Sequence, residues 1–343
     1  MDVYLILKQV LKRVFRGALP ILFGATLFVI FAGSLVVYFA ESGTNPGFQN
    51  WGDAFWWIVV TVSTVGYGDK VPITLAGRIT AFVAMVAGPV ILVSFMGSAG
   101  SILYDEWRKG ARGMSQIISK GHVIICGWKP ASEDVIAELR RSDTFNKTAV
   151  TIIDDTIDTN PLSDSRISFV RGNPTEIKFL EQANTKEARY AIVLARDQSP
   201  AADPQTVLAV LAIKDINPEI YVCAEINDVA NEGHMRRAGC DVIINAKLLT
   251  SKLLALSLEN PVVNTVITEL ASFSGSEIYR VPLSGDAEGL TFDSIFSSYK
   301  KEYDIIVIGV ERDNEIIINP SFNLELRAND HLFVISENTP DLH

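Results

Sequence analysis

Two uninterrupted apolar runs dominate the first third of the chain. Leu19 to Ala40 is 22 residues without a charge, and Ile79 to Tyr104 is 26. At 1.5 Å per residue, each makes a helix able to cross a hydrocarbon core of about 30 Å. The second has length to spare for tilt. Between them, Trp51 to Val62 is apolar and aromatic but only 12 residues long. That is too short to cross and predicts a half-helix that enters and turns back. From His122 the pattern changes to short apolar segments alternating with amphipathic ones. Strands are predicted at 122–126, 149–153, 167–170, 191–195, 220–225 and 241–245, and helices at 132–141, 175–183 and 204–216. Apolar strands alternating with helices predict a parallel sheet covered on both faces, a Rossmann-like α/β domain. Residues 247–258 and 261–273 read as helices. Residues 277–343 read as a small α+β piece, with a hairpin from 305–310 and 315–318 and a last strand at 332–335.

Charge divides the chain in the same way. Residues 19–104 carry only Glu41, Asp53, Asp69, Lys70 and Arg78, whereas residues 105–343 carry 24 basic and 36 acidic side chains. A segment so poor in charge excludes a fully soluble enzyme. The acidic remainder excludes a nucleic-acid partner, because phosphate binding needs a basic face. Lys8, Lys12, Arg13 and Arg16 precede the first span, and Arg108, Lys109 and Arg112 follow the second. The positive-inside rule then puts both termini in the cytoplasm, in a multi-pass protein of the plasma membrane. Cys126, Cys223 and Cys240 form no CxxC pair and read as reduced, buried thiols.

The link between the spans contains Thr64-Val65-Gly66-Tyr67-Gly68-Asp69. Irregular backbone at membrane depth is tolerated only in a protein interior or along a water-filled path. Gly66 and Gly68 permit conformations that turn successive carbonyls the same way. In this motif, set after an aromatic half-helix and between two spans, the chain resembles potassium channels. The resemblance implies that four copies surround one path and that Thr64, Val65, Gly66 and Tyr67 replace the hydration shell of K⁺. No arginine-repeated helix precedes the pore, so voltage sensing of that kind is not expected. Gly88-Pro89 falls mid-span, where it reads either as a gating hinge or as small-residue packing.

Residues 120–245 resemble the regulator-of-K⁺-conductance (RCK, or KTN) domain in their alternation, in their Gly172-Asn173-Pro174-Thr175 turn and in following a pore. The implied architecture is a two-span prokaryotic K⁺ channel: pore domain 1–107, linker 108–120, Rossmann-like RCK N-subdomain 121–246, helical crossover and dimer interface 247–273, and RCK C-subdomain 274–343. The resemblance also implies paired RCK domains in a homotetramer within the lipid bilayer. A ring of eight domains would need extra soluble copies, for which Met114 is a candidate internal start.

The regulatory ligand is expected at the carboxyl edge of the sheet. The dinucleotide fingerprint is worn to Gly127-Trp128-Lys129-Pro130-Ala131-Ser132, with one glycine kept and Lys129 able to supply phosphate with charge. Asp154 and Asp155 end the second strand, where ribose hydroxyls are held. Arg171, Asn173 and Arg196 end the third and fourth strands. NAD or ADP is therefore the expected ligand. Ca²⁺ at Glu225 is the rival, since some members of the family bind Ca²⁺ near this strand end, although Asn227 stands where a second carboxylate would help. A membrane-tethered NAD-dependent oxidoreductase is a third reading. It lacks a proton donor beside a pocket, because His122 and His234 are isolated in the sequence.

Overall fold

The computed structural model describes residues 19–338 apart from Ser274, together with Pro340. The basic residues Lys8, Lys12, Arg13 and Arg16 lie outside the described residues. Two compact units are present and are described in turn.

The first unit is a helical hairpin with a half-helix held inside it. Helices α1 (Leu19–Glu41) and α3 (Leu75–Ala111) are each long and apolar enough to cross a membrane, and α2 (Trp51–Val62) is not. Asn50 caps α2 by accepting from the Asp53 N–H at 3.1 Å, while Asp53 Oδ2 accepts from the Asn50 N–H at 3.2 Å. This reciprocal box fixes where the half-helix begins. Phe48, Ala54, Trp57, Ile58 and Val62 pack with Val37 of α1 and with Ala81 and Ala84 of α3. Glu41, fully buried, ties the hairpin together at its turn end. Its carboxylate accepts from the Ile73 N–H at 3.0 Å, the Thr74 N–H at 2.9 Å, Thr74 Oγ1 at 2.6 Å and Asn45 Nδ2 at 2.7 Å. The last residue of α1 thus holds the N-terminus of α3, where a negative charge also favours the helix dipole.

The second unit begins with a parallel sheet. Strands β1 (Val123–Cys126), β2 (Val150–Asp154), β3 (Ile167–Arg171), β4 (Tyr190–Val193), β5 (Tyr221–Ile226) and β6 (Val242–Asn245) run in the order β3-β2-β1-β4-β5-β6. The chain reverses direction across the sheet between β1 and β4, so the carboxyl ends of these strands diverge and leave a crevice. All residues of β1 and β2 are buried, as a sheet covered on both faces requires. The crossovers are α4 (Pro130–Arg141), α5 (Ile177–Gln182), α6 (Asp203–Ile216) and α7 (Glu232–Arg237). Helices α8 (Ala246–Glu259) and α9 (Val263–Leu270) follow and bury none of their residues within the chain.

The last part has the α+β character expected of it. Strands β7 (Glu277–Pro282), β8 (Ile306–Arg312), β9 (Glu315–Ile318) and β10 (His331–Ser336) form an antiparallel sheet in the order β7-β10-β8-β9, covered by α10 (Phe292–Tyr303). Asp313 and Asn314, both with positive φ (52° and 65°), make the tight turn of the β8–β9 hairpin.

Candidate functional site

The first site is the loop after α2. Thr64, Gly66 and Gly68 have positive φ (61°, 57° and 74°), while Val65 and Tyr67 between them do not. A backbone that alternates in hand turns its carbonyls to one side and its N–H groups to the other. Thr64 adopts this conformation despite its side chain, which the glycine argument alone did not anticipate. The Val60 carbonyl, near the end of α2, accepts from the N–H groups of Val65 (3.1 Å) and Gly66 (3.2 Å). The Tyr67 ring stacks on Trp56, with centroids 6.0 Å apart and planes 6° apart, and Trp56 Nε1 donates to Asp69 Oδ2 at 2.9 Å. The loop is therefore braced by its own half-helix. Deeper in the unit, Gly88 lies against Val62, and α3 continues through Pro89 as one helix. The small residue is used for close approach in this conformation.

The second site is the crevice at the carboxyl ends of β1, β2 and β4, a cleft of about 360 Å³. Of the residues expected there, Gly127, Lys129, Asp154, Asp155, Asn173 and Arg196 line it, and Arg171 does not. Arg171 ends β3 but is exposed, on the outermost strand of the sheet. Gly127 turns out of β1 with φ 92°, and a Cβ there would lie 3.2 Å from the Leu194 carbonyl oxygen. Both the left-handed conformation and the lack of room demand glycine.

Asp154 is buried and organises the loops around the cleft. Oδ2 accepts from the Trp128 N–H at 2.8 Å, and Oδ1 accepts from the N–H groups of Thr156 (2.6 Å) and Ile157 (3.2 Å) and from Thr156 Oγ1. A carboxylate has about four lone-pair positions, so little capacity is left for a ribose. Asp155 next to it is exposed at the rim and pairs with Arg196 at 3.4 Å. Lys129 also differs from expectation. Its Nζ forms an ion pair with Glu225, and Glu225 Oε2 further accepts from the Ala195 N–H at 3.1 Å. The positive charge offered to phosphate and the negative charge offered to Ca²⁺ thus neutralise each other.

Asn227, two residues beyond Glu225 and just past the end of β5, is enclosed by oxygens. Its Nδ2 donates to the Asp197 carbonyl (2.9 Å), the Ser199 carbonyl (3.0 Å) and Asp203 Oδ1 (3.2 Å). Asp203 is fully buried and also accepts from the N–H groups of Asn227 (2.9 Å) and Asp228 (3.0 Å) and from Asn231 Nδ2 (2.8 Å). Burial pushes the Cys126 thiol up to about 12 and that of Cys240 up to about 11, and the nearby Asp154 carboxylate adds to the effect at Cys126. His122 is buried at the start of the sheet, with Nε2 donating to the Ala183 carbonyl at 3.0 Å. It is a structural residue, remote from the cleft lining.

A loop of alternating hand braced by a half-helix between two spans, joined to a doubly wound sheet with a crevice at its switch point, defines a membrane channel with a regulatory domain. Comparison with known proteins agrees. Residues 21–105 match the ion-channel family and residues 123–246 match the TrkA-N domain family. The chain is a prokaryotic-type K⁺ channel with an RCK domain. It is 24% identical over 300 residues to the calcium-gated potassium channel TvoK of Thermoplasma volcanium, covering 86% of this chain and 84% of that one. It is 25% identical over 236 residues to potassium channel protein 1 of Methanocaldococcus jannaschii, covering 66% and 68%. Among solved structures, the GsuK channel superposes with a TM-score of 0.54 at 18% identity, and the GsuK channel bound to NAD with 0.51 at 17%. Each covers 95% of this chain, which spans 57% of the solved one. The relatives are channels, so the oxidoreductase reading is set aside.

Proposed function

We propose that four copies of this chain form a K⁺-selective channel in the plasma membrane of a prokaryote, with both termini cytoplasmic, gated by an adenine nucleotide at the RCK cleft. In the pore, carbonyls of Thr64, Val65, Gly66 and Tyr67 coordinate K⁺ in place of water. The observation that carries the ligand is the cleft itself, opened at the switch point by the left-handed turn at Gly127. The residues present fit a nucleotide. The turn at Gly127 brings backbone close to a phosphate, Lys129 and Arg196 exchange their carboxylate partners for it, and Asp155, released from Arg196 at the rim, turns to the ribose, with Asp154 and Asn173 shaping the floor. NAD⁺ or ADP is the ligand class, and the GsuK channel has been solved bound to NAD.

The energetics require little from each site. Shifting a pore from about 1:99 to 99:1 needs roughly 5.5 kcal/mol of differential binding, under about 1 kcal/mol at each of eight sites. In this reading, α8 and α9 pair RCK domains between copies, soluble copies begun at Met114 complete an eight-domain ring, and the inner helix bends at Gly88-Pro89. The relative named calcium-gated makes Ca²⁺ at Glu225 the rival, but the residues here do not fit it. Glu225 already holds an ammonium, Asn227 presents an N–H to the neighbouring oxygens, and among the described residues no group of three or more His, Cys, Asp or Glu is placed to hold a metal.

The test is bilayer recording of the purified channel with NAD⁺, ADP or Ca²⁺ on the RCK side, with calorimetry on the same preparation and its native mass. A nucleotide should change open probability at unaltered unitary conductance. Absence of nucleotide binding at millimolar concentration refutes the reading.

A further inference from the structure

The two donors on Glu225 are the kind a phosphate would use. Lys129 Nζ and the Ala195 N–H converge on one oxygen of its carboxylate, and an ammonium beside a backbone N–H at a strand end is an ordinary phosphate-binding set. Lys129 and Ala195 both line the cleft. Glu225 reaches them from β5, and its side chain is 15% exposed against 25% for that of Lys129.

We propose that Glu225 is a built-in competitor for the nucleotide phosphate: without ligand it holds Lys129 and the Ala195 N–H, and binding is an exchange in which phosphate takes them over. This deepens the nucleotide reading and rests on it. The exchange gives the cleft a charge requirement. Adenosine carries no anion to displace a carboxylate, whereas a pyrophosphate offers several charged oxygens in return for one ion pair. It also keeps divalent cations away from Glu225, because a cation approaching that oxygen meets the ammonium first.

The experiment uses the full-length channel with Glu225→Gln, Lys129→Met and the double variant, titrated by calorimetry with ADP and with inorganic pyrophosphate. Melting temperatures are measured alongside. Glu225→Gln, which keeps an acceptor for the Ala195 N–H, should bind both probes about fivefold tighter, the scale of releasing a partly exposed ion pair. Lys129→Met should bind them about tenfold weaker, as loss of a charge-assisted contact implies, and the double variant should bind no tighter than Lys129→Met. Unchanged or weaker binding by Glu225→Gln with a normal melt makes the pair a structural brace and overturns the exchange while the nucleotide reading stands. If Glu225→Gln folds poorly, Lys129→Met decides: wild-type affinity for ADP overturns the exchange. Pyrophosphate binding by Glu225→Gln with no ADP binding by any form sinks the nucleotide reading and keeps the exchange. No binding of either probe by any form sinks both.

Discussion

A Cβ placed on Gly88 would lie 3.1 Å from the Cα of Val62. The middle of α3 is thereby pressed against Val62, the last residue of the half-helix that braces the loop at 64–68. Small residues let helices approach in this way inside membranes, and here the close partner includes backbone, which cannot swing aside.

Gly88→Ala should therefore act through packing. The expected cost is about 1–3 kcal/mol, the scale of an overpacked contact, seen as a lower melting temperature of the assembled channel and a displaced filter loop. A variant that melts like the wild type and changes only open probability would favour a purely hinge role for this glycine.

Gly66→Ala should abolish selectivity. Its φ of 57° lies where an L side chain costs roughly 1–2 kcal/mol, and in the proposed tetramer four copies share one path. Reversal potentials in mixed K⁺ and Na⁺ should move toward equal permeability, with the RCK domain still binding its ligand.

Asn227→Asp should turn a satisfied cluster into a frustrated one. The variant replaces an amide NH₂ that reaches three oxygens with a second carboxylate facing Asp203. The loss should be about 2 kcal/mol at neutral pH, typical of a buried acceptor deprived of its donor. Millimolar Ca²⁺ should restore much of the melting temperature of the variant and leave that of the wild type unmoved. A calcium shift in the wild type would instead return Ca²⁺ to the list of natural ligands.

The sequence made the spans, the half-helix and the strands legible because each is written in local periodicity or in an unbroken apolar run. Predicted strand 191–195 overran the observed β4 (Tyr190–Val193) because Leu194 and Ala195 continue the apolar run into the loop that walls the cleft. Glu41 shows what stayed hidden. A lone acid at the end of an apolar run reads as a boundary charge, yet its N–H partners are 32 and 33 residues further along. The Lys129–Glu225 pair is of the same kind, since each residue alone suggests a ligand and only the fold makes them each other's partner. The saturation of Asp154 is partly local: Thr156, two residues on, is a signal for an Asx-type turn that could have been read.

The three thiols give the protein a practical property. Cys126 and Cys240 are buried, Cys223 is half-buried, and burial raises the pKa of each, which disfavours the reactive thiolate. The natural chain is thus a quiet background for site-directed labelling. A single cysteine introduced at the exposed tip of the β8–β9 hairpin would outrun the native ones in reacting with a maleimide. Fluorescent reporters could then be attached without first stripping the protein of its own sulfur.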